Sequence, residues 1–93
     1  MYQVLIDERV FSEDFEKINK PDQQKIIKAI RDKLTLEPEK YGHPLNGNLN
    51  GLWKLRVGQY RVIYNIKKRE VIVYVAKVGF RRNEKVYKQV LNR

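Results

Sequence analysis

The chain has 93 residues, 42% of them hydrophobic, with 20 Lys/Arg against 11 Asp/Glu and a formal net charge of +9. That length fits one domain, 1–93, and the apolar share is too high for a disordered chain. The absence of cysteine excludes disulfides and thiolate metal sites; with no charged-then-apolar leader and no stretch near the ~20 apolar residues of a membrane span, a soluble cytoplasmic protein without a membrane partner is expected.

Tyr2–Asp7 alternates weakly and reads as a strand. A helix is predicted over Glu8–Asn19, with Phe11, Phe15 and Ile18 as its apolar stripe. Pro21, after Lys20, suits the first turn of a second helix, which runs to about Leu36 and turns Ile26, Ile27, Ile30 and Leu34 inward. The two helices form a hairpin. Glu37–Gly51, with Pro38, Gly42, Pro44, Gly47 and Gly51, reads as a loop near the upper length for an irregular connection.

The period then changes to two. Trp53, Leu55 and Val57 alternate with Lys54 and Arg56, and Tyr60, Val62, Tyr64 and Ile66 with Arg61, Ile63 and Asn65. Gly58–Gln59 fits a two-residue hairpin turn of type II′. A third strand is predicted over Glu70–Val78, ended by Gly79, and a last helix over Asn83–Leu91, with Val86, Val90 and Leu91 facing inward. The expected fold is α+β: a helical hairpin on one face of an antiparallel sheet, with a short C-terminal helix. Function is then sought on the sheet's other face.

Charge is unevenly spread. Residues 1–51 hold 8 Lys/Arg and 9 Asp/Glu; residues 52–93 hold 12 and 2. Such asymmetry suits a polyanionic partner, nucleic acid first, or else a solvated basic surface. The hairpin locates part of it. With the turn at Gly58–Gln59, Arg56 lies opposite Arg61, and Lys54, Arg56 and Arg61 share one face. Facing arginines repel by roughly 0.2–1 kcal/mol, which an anion would relieve; splayed side chains or a slipped register are the alternatives. Arg81 and Arg82 follow Gly79. Tyr87 reads either as a base-stacking platform or as a packing residue.

Other chemistries are removed. His43 is the one histidine, so a His/His acid–base pair within one chain is impossible, and His43 is assigned no role. Carboxylates are scarce in the basic half, which argues against a Mg²⁺ or Zn²⁺ cluster, and no Gly-rich phosphate loop is present. No cofactor is expected. RNA cleavage by Lys, Arg and Tyr alone is feasible: the 2′-hydroxyl attacks the neighbouring phosphorus, and fixed cations stabilise the transition state.

The runs Leu45–Asn46–Gly47–Asn48–Leu49, Leu52–Trp53–Lys54–Leu55–Arg56–Val57–Gly58–Gln59–Tyr60–Arg61–Val62–Ile63–Tyr64, Val78–Gly79–Phe80–Arg81–Arg82 and Val86–Tyr87 closely resemble the RelE branch of the RelE/ParE toxin superfamily. The resemblance covers essentially the whole chain. It implies ribosome-dependent cleavage of mRNA in the A site, leaving a 2′,3′-cyclic phosphate, and a RelB-like antitoxin as partner beside the ribosome and mRNA. By resemblance, Lys54 lies near the attacking 2′-hydroxyl, Arg61 steadies the phosphate, Arg81 assists the leaving group and Tyr87 stacks on or orients the nucleotide. Arg56 is a supporting phosphate contact; Lys77, Arg82 and Lys85 are expected to add RNA or phosphate contacts. The sequence departs from the well-studied pattern at Leu52, where that pattern has a lysine. A non-catalytic, ParE-like toxin that inhibits DNA gyrase, and a catalytically weak nucleic-acid-binding relative, are the competing readings.

Overall fold

Alternating apolar residues make strands because the pleat sends successive side chains to opposite faces. The computed structural model, which describes residues 1–82 and 85–93, contains β1 (Gln3–Ile6), β2 (His43–Pro44), β3 (Leu52–Val57), β4 (Tyr60–Lys67) and β5 (Ile72–Phe80). They form one sheet in the order β1-β5-β4-β3-β2. The pairs from β2 to β5 are antiparallel, but β1 lies parallel to β5. The sheet is therefore mixed, not antiparallel as expected. A parallel neighbour needs a long crossover, and the helices with the β2–β4 meander supply it between β1 and β5.

The N-terminal helical layer is less regular than its sequence pattern. A π-helical turn at Val10–Asp14 and a 3₁₀ turn at Phe15–Lys17 replace most of the helix expected over Glu8–Asn19. The wider turn changes the inward face: Val10, Asp14, Phe15 and Ile18 are buried, and Phe11 is 51% exposed. Helix α1 (Lys20–Ala29) begins as expected around Pro21, and the Asn19 side chain caps it by accepting from Asp22 N at 2.9 Å. Gln23 Nε2 donates to Phe15 O at 2.8 Å and to Ile18 O at 2.7 Å, tying the two segments together. A π-helical turn at Ile30–Leu34 carries the apolar stripe onward, with Ile26, Ile30 and Leu34 buried and Ile27 at the margin.

The segment expected as a loop holds short regular pieces: α2 (Pro38–Tyr41), β2, and a 3₁₀ turn at Gly47–Leu49. Gly42 explains the tight passage. A Cβ there would lie 1.7 Å from the Tyr64 hydroxyl, which itself donates to Pro38 O at 2.5 Å. No local periodicity encodes this, because the order comes from contact with the sheet.

Two apolar clusters hold the domain. The larger joins the N-terminal layer to Leu55, Tyr60, Val62, Tyr64, Val73, Val75 and Val78. The smaller joins Ile63 and Ala76 to Val86 and Val90 of α3 (Lys85–Leu91), with Leu45, Leu49 and Leu52 against it. The second face of the sheet is thus partly covered. Leu91, expected inward, is 48% exposed. Asn83, the expected start of the last helix, lies outside the described residues. Gly79 is also not a terminator: β5 continues through it to Phe80. Among the described residues no helix is long and apolar enough to cross a membrane.

Candidate active site

The hairpin sets the geometry. Gly58 has φ +57°, and no non-glycine in the turn has positive φ, which is the pattern of a type II′ turn. Val57 pairs with Tyr60, Arg56 with Arg61 and Lys54 with Ile63. Leu55, Tyr60, Val62 and Tyr64 anchor the opposite face in the main core. A register slip would drive three cations into that core, so burial holds Lys54, Arg56 and Arg61 together despite their repulsion. Partial burial of Lys54 lowers its pKa from the ordinary lysine value, and the charges of Arg61 and Arg56 lower it further. Removing a like charge eases protonation, so Arg56→Ala is expected to raise the Lys54 pKa. An NMR titration of the Lys54 side chain checks this; an unchanged or lower value contradicts the electrostatic account.

Arg61 also connects the sheet to α3. It pairs across the ladder with Gly79, and a Cβ at Gly79 would sit 1.8 Å from Val86 Cγ2. The missing side chain lets α3 lie close, and the Tyr87 hydroxyl accepts a hydrogen bond from Arg61 NH1. The guanidinium carbon lies 5.4 Å from the Tyr87 ring centroid. Arg61 Nε is buried and has no hydrogen-bond partner among the described residues. Gly79→Ala is therefore expected to push α3 outward, part Arg61 from Tyr87 and cost about 1–3 kcal/mol, the usual range for overpacking. Chemical denaturation measures this, and an unchanged midpoint argues against the close approach.

Arg81 is placed by its backbone: its N–H donates to Gln59 O at 2.6 Å, bringing the end of β5 to the hairpin turn. Two adjoining grooves of about 610 and 650 Å³ share Arg61, Arg81 and Arg82. The first also holds Tyr87, Asn48, Leu49 and Leu91. Arg61, Arg81, Arg82 and Tyr87 thus converge. Lys54 and Arg56 stand on the same sheet face but line neither groove, and Lys85 is exposed at the start of α3.

Lys77 does not join them. The β4–β5 register slips at Ile63/Tyr64, leaving Ala76 without a partner. This bulge re-aims the chain, and Lys77 Nζ binds Asp14 Oδ1 at 2.6 Å in a buried pair. The expected phosphate contact at Lys77 is corrected accordingly: its charge is already neutralised inside the fold.

Other neighbours escape the sequence pattern. Leu52 packs on the smaller apolar cluster, so its position offers no second amine beside Lys54. His43 is in register with Lys54 across β2 and β3. Asn48, Leu49 and Leu91 reach the groove through loop and helix placement. Asn48 and Leu49 fall within the Leu45–Leu49 run that carries part of the family resemblance, whereas the apolar pattern of the last helix points Leu91 inward rather than to a groove.

The sequence matches, over residues 8–84, the family described as ParE toxin of type II toxin-antitoxin system, parDE. No curated protein matches it. Among solved structures, the toxin–antitoxin complex RelBE2 from Mycobacterium tuberculosis is similar with a TM-score of 0.80 at 26% identity, over 88% of this chain and 93% of that one. The archaeal RelE–RelB complex from Pyrococcus horikoshii OT3 is similar with a TM-score of 0.67 at 27% identity, over 88% and 97%. The isolated Escherichia coli RelE toxin shares the fold with a TM-score of 0.69 at 20% identity, over 100% and 98%. With a family match across most of its length and the α+β fold of RelE chains, the chain belongs to the ParE toxin family of type II toxin–antitoxin systems, within the RelE/ParE superfamily.

Proposed function

We propose that this toxin is a metal-independent endoribonuclease that cuts mRNA in the ribosomal A site. The observation that carries the reading is the buried Nε of Arg61, without a partner among the described residues, at the meeting of two cation-lined grooves. A buried donor without a partner costs about 1–3 kcal/mol, and a phosphate oxygen satisfies it. Lys54 contacts the attacking 2′-oxygen, and Arg61 steadies the negative charge that builds on phosphorus. Arg81 offsets charge on the departing 5′-oxygen. Tyr87 holds Arg61 in place and stacks on or orients the nucleotide. Arg56, Arg82 and Lys85 add backbone contacts. The products are a 2′,3′-cyclic phosphate and a 5′-hydroxyl. This substrate gives the toxin a cytoplasmic home. RelE chains were solved with RelB in the M. tuberculosis and P. horikoshii complexes, which supports a RelB-like antitoxin as partner here.

The ParE family match favours a second reading, inhibition of DNA gyrase without catalysis. One experiment separates the two. The protein is incubated with ribosomes programmed with a defined mRNA, with free mRNA, and with gyrase and supercoiled DNA. Cuts at A-site codons are expected, and they persist in EDTA once ribosome integrity is controlled. Altered DNA topology with intact mRNA supports the gyrase reading instead. RNA binding without cuts makes the chain a weak binding relative, and loss of cleavage on true metal removal overturns the metal-free chemistry.

A further inference from the structure

The proposed ribonuclease leaves its base unnamed: a group must take the 2′-hydroxyl proton. Lys54 is one neighbour of that hydroxyl, and the position two residues before it on the same face is the apolar Leu52. The sheet supplies another group from a different strand. On β2, His43 is the direct partner of Lys54. Directly opposed residues in an antiparallel pair share a face, with Cβ atoms about 4.5–5.5 Å apart.

The flanking residues agree with that face. Pro44 pairs with Trp53, which packs on the main core, and a Cβ at Gly42 would point at the Tyr64 hydroxyl of the same core. His43, between them, therefore projects with Lys54 from the cationic side, and it is exposed. β3 and α2 pack against β2. Their ionisable groups are Lys54 and Arg56 on β3, and Glu39, Lys40 and Tyr41 on α2. Glu39 binds Lys68 at 3.0 Å, Lys40 binds Glu37 at 3.6 Å, and Lys33 sits over the Tyr41 ring. Lys54 is the cation in register with the imidazole.

We infer that His43 is the general base of the reaction, paired across β2 and β3 with Lys54. This rests on the ribonuclease reading. The neutral imidazole takes the proton of the 2′-hydroxyl, and the freed O2′ electron pair forms the bond to phosphorus. The P–O5′ bond breaks with its electron pair on O5′, which takes a proton from water; the imidazolium then returns its proton to the solvent. Lys54 and Arg61 hold the negative charge on O2′ and on the phosphoryl oxygens during the transfer. A single histidine per chain rules out a His/His pair, but it leaves this asymmetric His/Lys arrangement available.

The test is single-turnover cleavage of mRNA on programmed ribosomes across about pH 5 to 8, the range in which histidine side chains titrate. His43→Gln, which keeps hydrogen bonding and loses proton transfer, is expected to cut roughly a hundredfold more slowly at neutral pH. It should also lose the rise of rate with pH that the wild type is expected to show. His43→Ala should regain rate in added imidazole. A His43→Gln rate within about twofold of wild type, or a slower rate with the wild-type pH dependence and no imidazole rescue, overturns the assignment while leaving the ribonuclease intact. If the wild-type protein cuts no mRNA at any pH, the ribonuclease reading falls and the base assignment falls with it.

Discussion

Arg61→Ala is expected to slow mRNA cleavage about a hundred- to a thousandfold while leaving the fold at least as stable as the wild type. On the proposed ribonuclease reading, the rate loss follows from removing a preorganised donor at the developing phosphoryl charge, for which losses of that size are typical. The stability effect has the opposite sign because Arg61 faces Arg56 across the ladder. Its Nε also has no partner among the described residues. Relieving the repulsion returns roughly 0.2–1 kcal/mol, offset by the lost hydrogen bond to Tyr87. Arg61→Lys keeps the charge and loses the planar fork, so it should recover only part of the rate. Single-turnover cleavage and thermal melting of the same samples check both halves. Near wild-type cleavage by Arg61→Ala would remove the central assignment of the site.

Asp14→Ala is expected to destabilise the protein by about 3–5 kcal/mol, the range for breaking a buried ion pair from one side. Asp14 has a fully buried side chain. It accepts from Lys77 Nζ at 2.6 Å, Val78 N at 2.9 Å, and Arg93 NH1 and NH2 at 3.0 and 2.7 Å. Removing the carboxylate leaves two cations and a backbone N–H inside the fold. For a domain of this size each kcal/mol moves the melting temperature by roughly 4–8 °C, so the loss amounts to tens of degrees. Replacing the whole group with apolar residues, Asp14→Leu with Lys77→Met and Arg93→Leu, should regain part of it, because no charge is then left unpaired. Denaturant midpoints measure both variants. A loss below about 1 kcal/mol in Asp14→Ala would show that the network is not a clamp. Arg93 also binds Ala76 O at 2.9 Å, so the same network fastens the end of α3 to β5 and, through α3, bears on where Tyr87 stands.

Much of the local architecture was legible because it depends on period and turn chemistry. The pairing of Arg56 with Arg61 follows from counting outward from Gly58–Gln59, and alternation then assigns Lys54, Arg56 and Arg61 to one side. Glu8–Asn19 was less legible. Its apolar spacing fits an α-helix, yet the chain takes a π-helical turn that buries Val10 and Asp14 and leaves Phe11 outside. Asp14 gains three cationic and backbone donors by that exchange, and none of them is near it in sequence.

The remaining misses share that cause. A lysine in a basic strand looks like a nucleic-acid contact until a bulge at Ala76 gives it Asp14 as a partner. Leu91 looks like core until the placement of α3 turns it toward a groove. His43 sits in a Gly/Pro-rich stretch with no period, and only the pairing of β2 with β3 sets it beside Lys54.

By itself the sequence determined the α+β class, the β3–β4 hairpin with its register, and the clustering of positive charge on that hairpin, because each depends on residues within a few positions of one another. The tertiary structure alone decided that β1 runs parallel to β5, that α3 covers part of the second face, and that Lys77 belongs to Asp14 rather than to the cationic surface. Those outcomes depend on which distant groups can bury apolar area and neutralise charge together, and no local pattern records that choice.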